Sequence, residues 1–292
     1  MGIAPRMLFV VALTGCGRMD FAERAPVDAA PEAATRWGTP QPLTVLDTND
    51  GDADPSVTRD ELELYFSSDR GGAMKSDVYV TTRAAVGAPW VAPAIVGELS
   101  STGYDDSPEI SPDGLTLYLS STREGGYQYF VSTRTDRASA WSTPVLVPEL
   151  GGVGGQNGSF SGNGLVAVVE IVTDGNGDLY EHRRLSPHDP WGNGVLIAEL
   201  STPNNESSPA LDEDGLTIYF TSNRPGTQGA YDIFTASRPS LAQPFGEITR
   251  VDEIDTPDDD GNPFLSRDGH TIYWASDRSP TVGGRDLWFA TR

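Results

Sequence analysis

This chain has almost no cysteine, lysine or histidine, and each shortage closes off a class of explanation. Cys16 is the sole cysteine, so no intramolecular disulfide braces the fold. The histidines, His182, His188 and His270, form neither an H-E-x-x-H motif nor any other close pair, which removes the common metallohydrolase pattern. Lys75 is the only lysine, and 20 bases against 42 acids give a formal charge of −22. Such a balance argues against nucleic acid as a partner. No glycine-rich phosphate loop leads into a helix, and GSFSG at 158–162 carries Phe160 where a nucleophile elbow needs serine. The apolar run from Met7 to Leu13 is too short to span a bilayer permanently.

What is abundant is glycine (32) and proline (22), the composition of a chain with many turns and few helices. The N-terminus has the layout of a secretory signal: Arg6, a short apolar core, then small residues. Leu13-Thr14-Gly15-Cys16 resembles a bacterial lipobox, which implies cleavage after residue 15 and lipidation of Cys16. Residues 16–36, rich in Ala, Pro and charge, read as a tether. The expected domains are thus a signal peptide over 1–15, a lipidated tether over 16–36 and a folded part over 37–292. Gly17 after the cysteine, by resemblance to lipoprotein sorting, implies an outer-membrane anchor facing the periplasm.

The folded part repeats itself. Aligned on one turn, Glu61, Gly114, Gly164, Gly215 and Gly269 recur at spacings of 53, 50, 51 and 54 residues. Behind each turn runs a β-rich segment (LELYFSSDR, LTLYLSSTR, LVAVVEIVTD, LTIYFTSNR, HTIYWASDR), then a third strand ending at Arg83, Arg134, Arg184, Arg238 or Arg292. A fourth element begins at Trp90, Trp141, Trp191 or Pro244, and the last copy lacks one. The missing piece is WGTPQPLTVL at Trp37, on the same period. Five four-stranded units of about 50 residues predict an all-β, five-bladed β-propeller, closed by the N-terminal strand pairing into the last blade. The SPDG turns and the D-x-Y or D-x-W third strands resemble the WD40-like repeats of TolB-type propellers. TolB itself is described with six blades and an extra α/β domain, for which this chain has no room.

Features present in every blade read as scaffold, and features that break the repeat read as candidate sites. The strand-end arginines, with Asp77, Asp178, Asp232 and Asp286, predict repeated Asp–Arg clamps. The tryptophans are expected to pack between blades. The five inter-blade loops carry eleven acids and no base, ten of them in the loops entering blades 5, 1 and 2. A negative arc at the channel mouth follows, with Asp52, Asp54, Asp105, Asp106, Glu206, Asp258 and Asp260 as candidate ligand-binding residues. Blade 3 departs from the pattern at VTDGNGDLYEH, where Asp174, Asn176 and Asp178 alternate as at the start of a calcium loop. Leu179 and Leu185 stand where such a loop needs Gly and Glu, so a hairpin turn competes with calcium there.

These observations lead to a monomeric, lipid-anchored binding or scaffold module that contacts a protein or envelope component through its acidic face. No cofactor is expected except calcium. The alternative is a carbohydrate-active hydrolase, because five-bladed arabinanase-type glycosidases carry catalytic carboxylates at the same mouth.

Overall fold

A computed structural model describes residues 36–292, apart from 73, 74, 153 and 281; the expected signal peptide, Cys16 and most of the tether lie outside the described residues. Twenty strands form five four-stranded antiparallel sheets, the blades of a β-propeller. Blade 1 comprises β2 (Asp52–Val57), β3 (Glu63–Ser68), β4 (Asp77–Thr82) and β5 (Ala94–Ile95). Blade 2 follows with β6 (Asp105–Ile110), β7 (Thr116–Ser121), β8 (Gln128–Thr133) and β9 (Val145–Leu146). Blade 3 holds β10 (Gly155–Phe160), β11 (Val166–Thr173), β12 (Asn176–Arg183) and β13 (Val195–Leu196). Blade 4 holds β14 (Glu206–Leu211), β15 (Thr217–Ser222), β16 (Asp232–Ser237) and β17 (Gly246–Arg250). Blade 5 holds β18 (Asp260–Leu265), β19 (Thr271–Ser276) and β20 (Asp286–Thr291), and its outer strand is β1 (Gln41–Pro42).

The closure read from the sequence is present in atomic detail: Gln41 lies opposite Phe289 and Pro42 opposite Trp288. Pairing this strand into the ring removes the open edge that blade 5 would otherwise expose. The outer strands are short, two residues in every blade but the fourth.

Hydrophobic clusters sit at the blade junctions. Tyr65 and Val78 of blade 1 pack with Leu117, Leu119 and Phe130 of blade 2, under Trp141. Both faces of a blade are therefore buried, which is why the middle strands are nearly continuous in β-branched and aromatic residues.

Two sets of arginine repeat around the ring. Arg83, Arg134, Arg184, Arg238 and Arg292 each donate Nε to the carbonyl of the turn residue Glu61, Gly114, Gly164, Gly215 or Gly269. Each also stacks 4.0–4.5 Å over Trp90, Trp141, Trp191, Phe245 or Trp37. A stack of this kind contributes about 0.5–2 kcal/mol, depending on desolvation. The turn glycines that Arg134, Arg184, Arg238 and Arg292 grip have φ between 66° and 76°, where a side chain is strained.

The second set corrects the expected pairing. Arg70, Arg123, Arg224 and Arg278 clamp not the third-strand acids but the first residue of the inner strand: Asp52 (2.6 Å), Asp105 (2.7 Å), Glu206 (3.2 Å) and Asp260. The same guanidinium reaches a serine hydroxyl at the end of the second strand and the carbonyl of Leu46, Leu99, Leu200 or Ile254. Asp232 and Asp286 instead accept backbone N–H groups of their own hairpin loops, and Asp77 takes Lys75 at 2.7 Å.

Candidate functional site

The inner strands β2, β6, β10, β14 and β18 line the central channel. Their third residues, Asp54, Ser107, Asn157, Ser208 and Asn262, meet at its waist. Asp54, Ser107, Ser208 and Asn262 have φ of 45–52°, and each strand carries a register shift at this point. Such bulges re-aim side chains, here into the channel. A proline follows in four of the five strands, tolerated because the channel-side edge has no neighbour to receive its N–H.

A hydrogen-bonded girdle runs around the waist. The Ser107 N–H donates to Asp54 Oδ2 at 3.2 Å, and the Ser107 hydroxyl donates to Asn157 Oδ1. The Asn157 amide donates to Glu170 Oε2 at 2.5 Å, and the Ser208 N–H faces the same carboxylate. The Asn262 amide then reaches both Ser208 Oγ, at 3.1 Å, and Asp54 Oδ1, which links all five blades. Space at the waist is about 30 Å³, roughly that of one water molecule.

Above the girdle the mouth opens into two hollows. One of about 460 Å³ is bordered by Glu170, Asn205, Tyr231, Asp259 and Arg285. The other, about 420 Å³, is bordered by Asp54, Lys75, Tyr104, Asp106 and Arg285. Asp106 accepts the Ser76 hydroxyl and, at 2.6 Å, the Tyr127 hydroxyl. Burial, with Asp54 nearby, pushes its pKa up to about 6. Burial likewise pushes Glu170 up to about 7, the Asn157 amide opposing, and raises Asp54 against the hydrogen bond from Ser67. Perturbed carboxyls gathered in a concave mouth are a recurrent mark of functional sites.

The acids expected at the mouth therefore separate into distinct groups. Asp54 and Asp106 face it. Asp52, Asp105, Glu206 and Asp260 are fully buried in the arginine clamps and belong to the scaffold. Asp258 is exposed on its loop, and its N–H turns back to Thr256. The expected open acidic arc is thus largely internal. Asp255 is buried too, accepts the Ile233 N–H at 3.1 Å, and burial raises it to about 8.

At the calcium candidate, Asp174 and Gly175 are the two central residues of the β11–β12 hairpin, with φ of 53° and 84°. This is the geometry of a two-residue primed turn. Asp178 accepts the Ser201 hydroxyl, while Asn176 pairs with Thr173 in the ladder. Among the described residues, no group of three or more His, Cys, Asp or Glu is arranged to hold a metal ion.

Glu170 was not singled out by its sequence, because it lies mid-strand in the β11 run VAVVEIVT; a lone charge in so apolar a stretch was the available signal. Also missed was the far end of the channel. There Arg267 donates to the Phe160 carbonyl (2.8 Å) and to Glu109 (3.4 Å), while Arg59 meets Glu213 across the ring at 2.5 Å. Burial raises Glu109 to about 7 despite Arg267. These bridges lie across the channel below the waist.

No family model and no curated protein matches this chain. Solved structures do match in fold. A TolB homologue from Agrobacterium tumefaciens is similar at 17% identity and TM-score 0.53, over 86% of this chain and 89% of that one. TolB from Acinetobacter baumannii is similar at 15% identity and TM-score 0.51, over 85% and 56%. An α-L-arabinofuranosidase from Podospora anserina, solved with cellotriose, is similar at 15% identity and TM-score 0.57, over 88% and 96%. At these identities the likeness is one of architecture, and it includes both hydrolases and TolB proteins.

Proposed function

We propose that the chain is a non-catalytic binding module of the bacterial cell envelope, lipid-anchored through Cys16, that takes a basic protein segment or a cationic, hydroxyl-rich envelope component at its mouth. The observation that carries this reading is that every oxygen of Asp54 and Asp106 is held by the protein's own donors. Asp54 receives Ser67, Ser107 and Asn262, and Asp106 receives Ser76 and Tyr127. Carboxylates fixed in this way present a static field, each of their oxygens already accepting a hydrogen bond from the protein. Lys75 and Arg285, the cations bordering the mouth, are engaged with Asp77 and Asn262. Calcium has no part in this reading.

A hydrolase is the second reading, favoured by one feature: on adjacent blades burial raises Asp106 to about 6 and Glu170 to about 7, the direction a general acid needs. One experiment separates the two. A chitosan tetramer and its N-acetylated counterpart are titrated calorimetrically into the full chain, alongside release of nitrophenol from 4-nitrophenyl arabinofuranoside. The binding module predicts tighter uptake of the cationic oligomer, weakened at least fivefold in Asp106→Asn and Glu170→Gln, with no nitrophenol. Turnover that Glu170→Gln abolishes establishes the hydrolase, and neither binding nor turnover refutes both.

A further inference from the structure

A large cavity lies away from the mouth, on the opposite face, at the junction of blades 2 and 3. It encloses about 770 Å³, within the range of small-molecule sites. Its cause can be read by comparing junctions. Between blades 1 and 2 the gap is filled by two arginines: Arg134 meets Glu63 at 2.6 Å, and Arg137 meets Asp60 at 2.6 Å. One repeat later Arg184 takes the place of Arg134, but Thr116 stands where Glu63 stood and Pro187 where Arg137 stood. Between blades 3 and 4 the ion pair returns as Arg238 with Glu181, and Leu241 packs into the adjoining core. The blade 2–3 junction has lost both fillers of the blade 1–2 pattern without such a substitute; at the blade 4–5 junction Thr217 likewise stands where Glu63 stood, but the hollow beside Arg292 there is smaller, about 200 Å³.

The loss leaves distinctive chemistry. Arg184 keeps its grip on the Gly164 carbonyl (2.6 Å) and its stack on Trp191 (4.0 Å). Among the described residues, no carboxylate lies within ion-pair distance of it. Tyr118 and Phe160, stacked at 4.1 Å, give the cavity an aromatic wall that Val131 and Pro112 extend. Arg267 borders the inner end with its side chain 2% exposed, and its Nε is buried without a hydrogen-bond partner. The neighbouring charges are already answered. Glu109 faces Arg267, Arg59 faces Glu213, and Asp113 accepts from Ser111 and Leu115 of its own turn.

We infer that this crevice is a binding site for a small aromatic anion, its ring against Tyr118 and Val131 and its carboxylate or sulfonate on Arg184. An unpaired guanidinium on the rim of an apolar pocket gains most from a ligand that brings both parts at once. The site is independent of the mouth and of whatever binds there.

The test is calorimetric titration of the full chain with 2-naphthoate and with the neutral 2-naphthylmethanol. The expected result is at least tenfold tighter binding of the anion. Arg184→Gln reduces it to the level of the alcohol, and Arg184→Lys, which keeps the charge, restores part of the difference. The double variant Thr116→Glu with Pro187→Arg rebuilds the blade 1–2 pattern, fills the crevice, and is expected to abolish binding of both probes while raising the unfolding temperature. Equal affinity for anion and alcohol, undiminished binding in the double variant, or no binding at millimolar naphthoate would each overturn the inference.

Discussion

Replacing Asp105 by alanine distinguishes a scaffold acid from a ligand-binding one. The carboxylate is fully buried and accepts the Ser101 N–H at 2.5 Å, the Ser121 hydroxyl at 2.6 Å and Arg123 Nη2 at 2.7 Å. Truncation strands the Arg123 guanidinium, whose side chain is only 14% exposed. Breaking a buried pair in this way destabilises by about 3–5 kcal/mol. In a domain of this size each kcal/mol lowers the unfolding temperature by about 2–4 °C, so a fall on the order of 10 °C is expected. Asp258→Ala, on an exposed loop, is the control and is expected to stay within about 0.5 kcal/mol. The assay is differential scanning calorimetry at pH 7 with a parallel urea titration, which checks that the slope and hence the two-state assumption hold. A loss below about 1 kcal/mol, indistinguishable from Asp258→Ala, would show that Asp105 is solvated at the mouth and that the clamp is misassigned.

The pH profile carries a second prediction. Glu109 and Glu170 are raised to about 7 and Asp106 to about 6, so the folded chain holds protons that the unfolded chain releases. The stability they contribute is complete below the unfolded carboxyl range and is lost as pH rises through 6 to 7. The unfolding temperature is expected to fall between pH 5 and 8, and to fall less in Glu170→Gln; a rise over that window contradicts the assignment. Trp37→Ala removes a residue buried under Arg292 and beside Tyr219 of blade 4, and is expected to lose about 3–5 kcal/mol in urea unfolding, whereas Leu185→Ala, at 95% exposure, should change little. Cys16→Ser is expected to move the protein from the membrane pellet to the soluble fraction, and an unchanged pellet would contradict lipidation.

The blade count and the closing strand were legible because each is written as a period: the turn residue and the tryptophan recur every 50–54 positions. Charge pairing was less legible. Asp52 and Asp54 differ by two positions in one short strand, yet the first is sealed against Arg70 and the second sits at the channel. The register shift between Ala53 and Ser56 brings a left-handed residue at Asp54, which strict alternation along the strand does not foresee. The girdle is less legible still, since Asn262 meets Asp54 and Ser208, and Ser208 meets Glu170, only when the blades close into a ring. The crevice was in principle readable, as Thr116 and Pro187 in place of the residues one blade earlier, but only once the partners of Arg134 and Arg137 were known.

The two-residue pairing of β1 with β20 has a mechanical consequence. Gly38 donates its N–H to the Thr291 carbonyl at 2.8 Å, so the first described strand is also the latch of the ring. Tension applied upstream of Trp37 falls on that seam before it reaches any other blade. The strands there are antiparallel and the ladder is short, so its bonds are loaded almost one after another rather than together. A pull from that side would peel the latch at low force and let the circle spring open at blade 5, while the four remaining sheets are still intact.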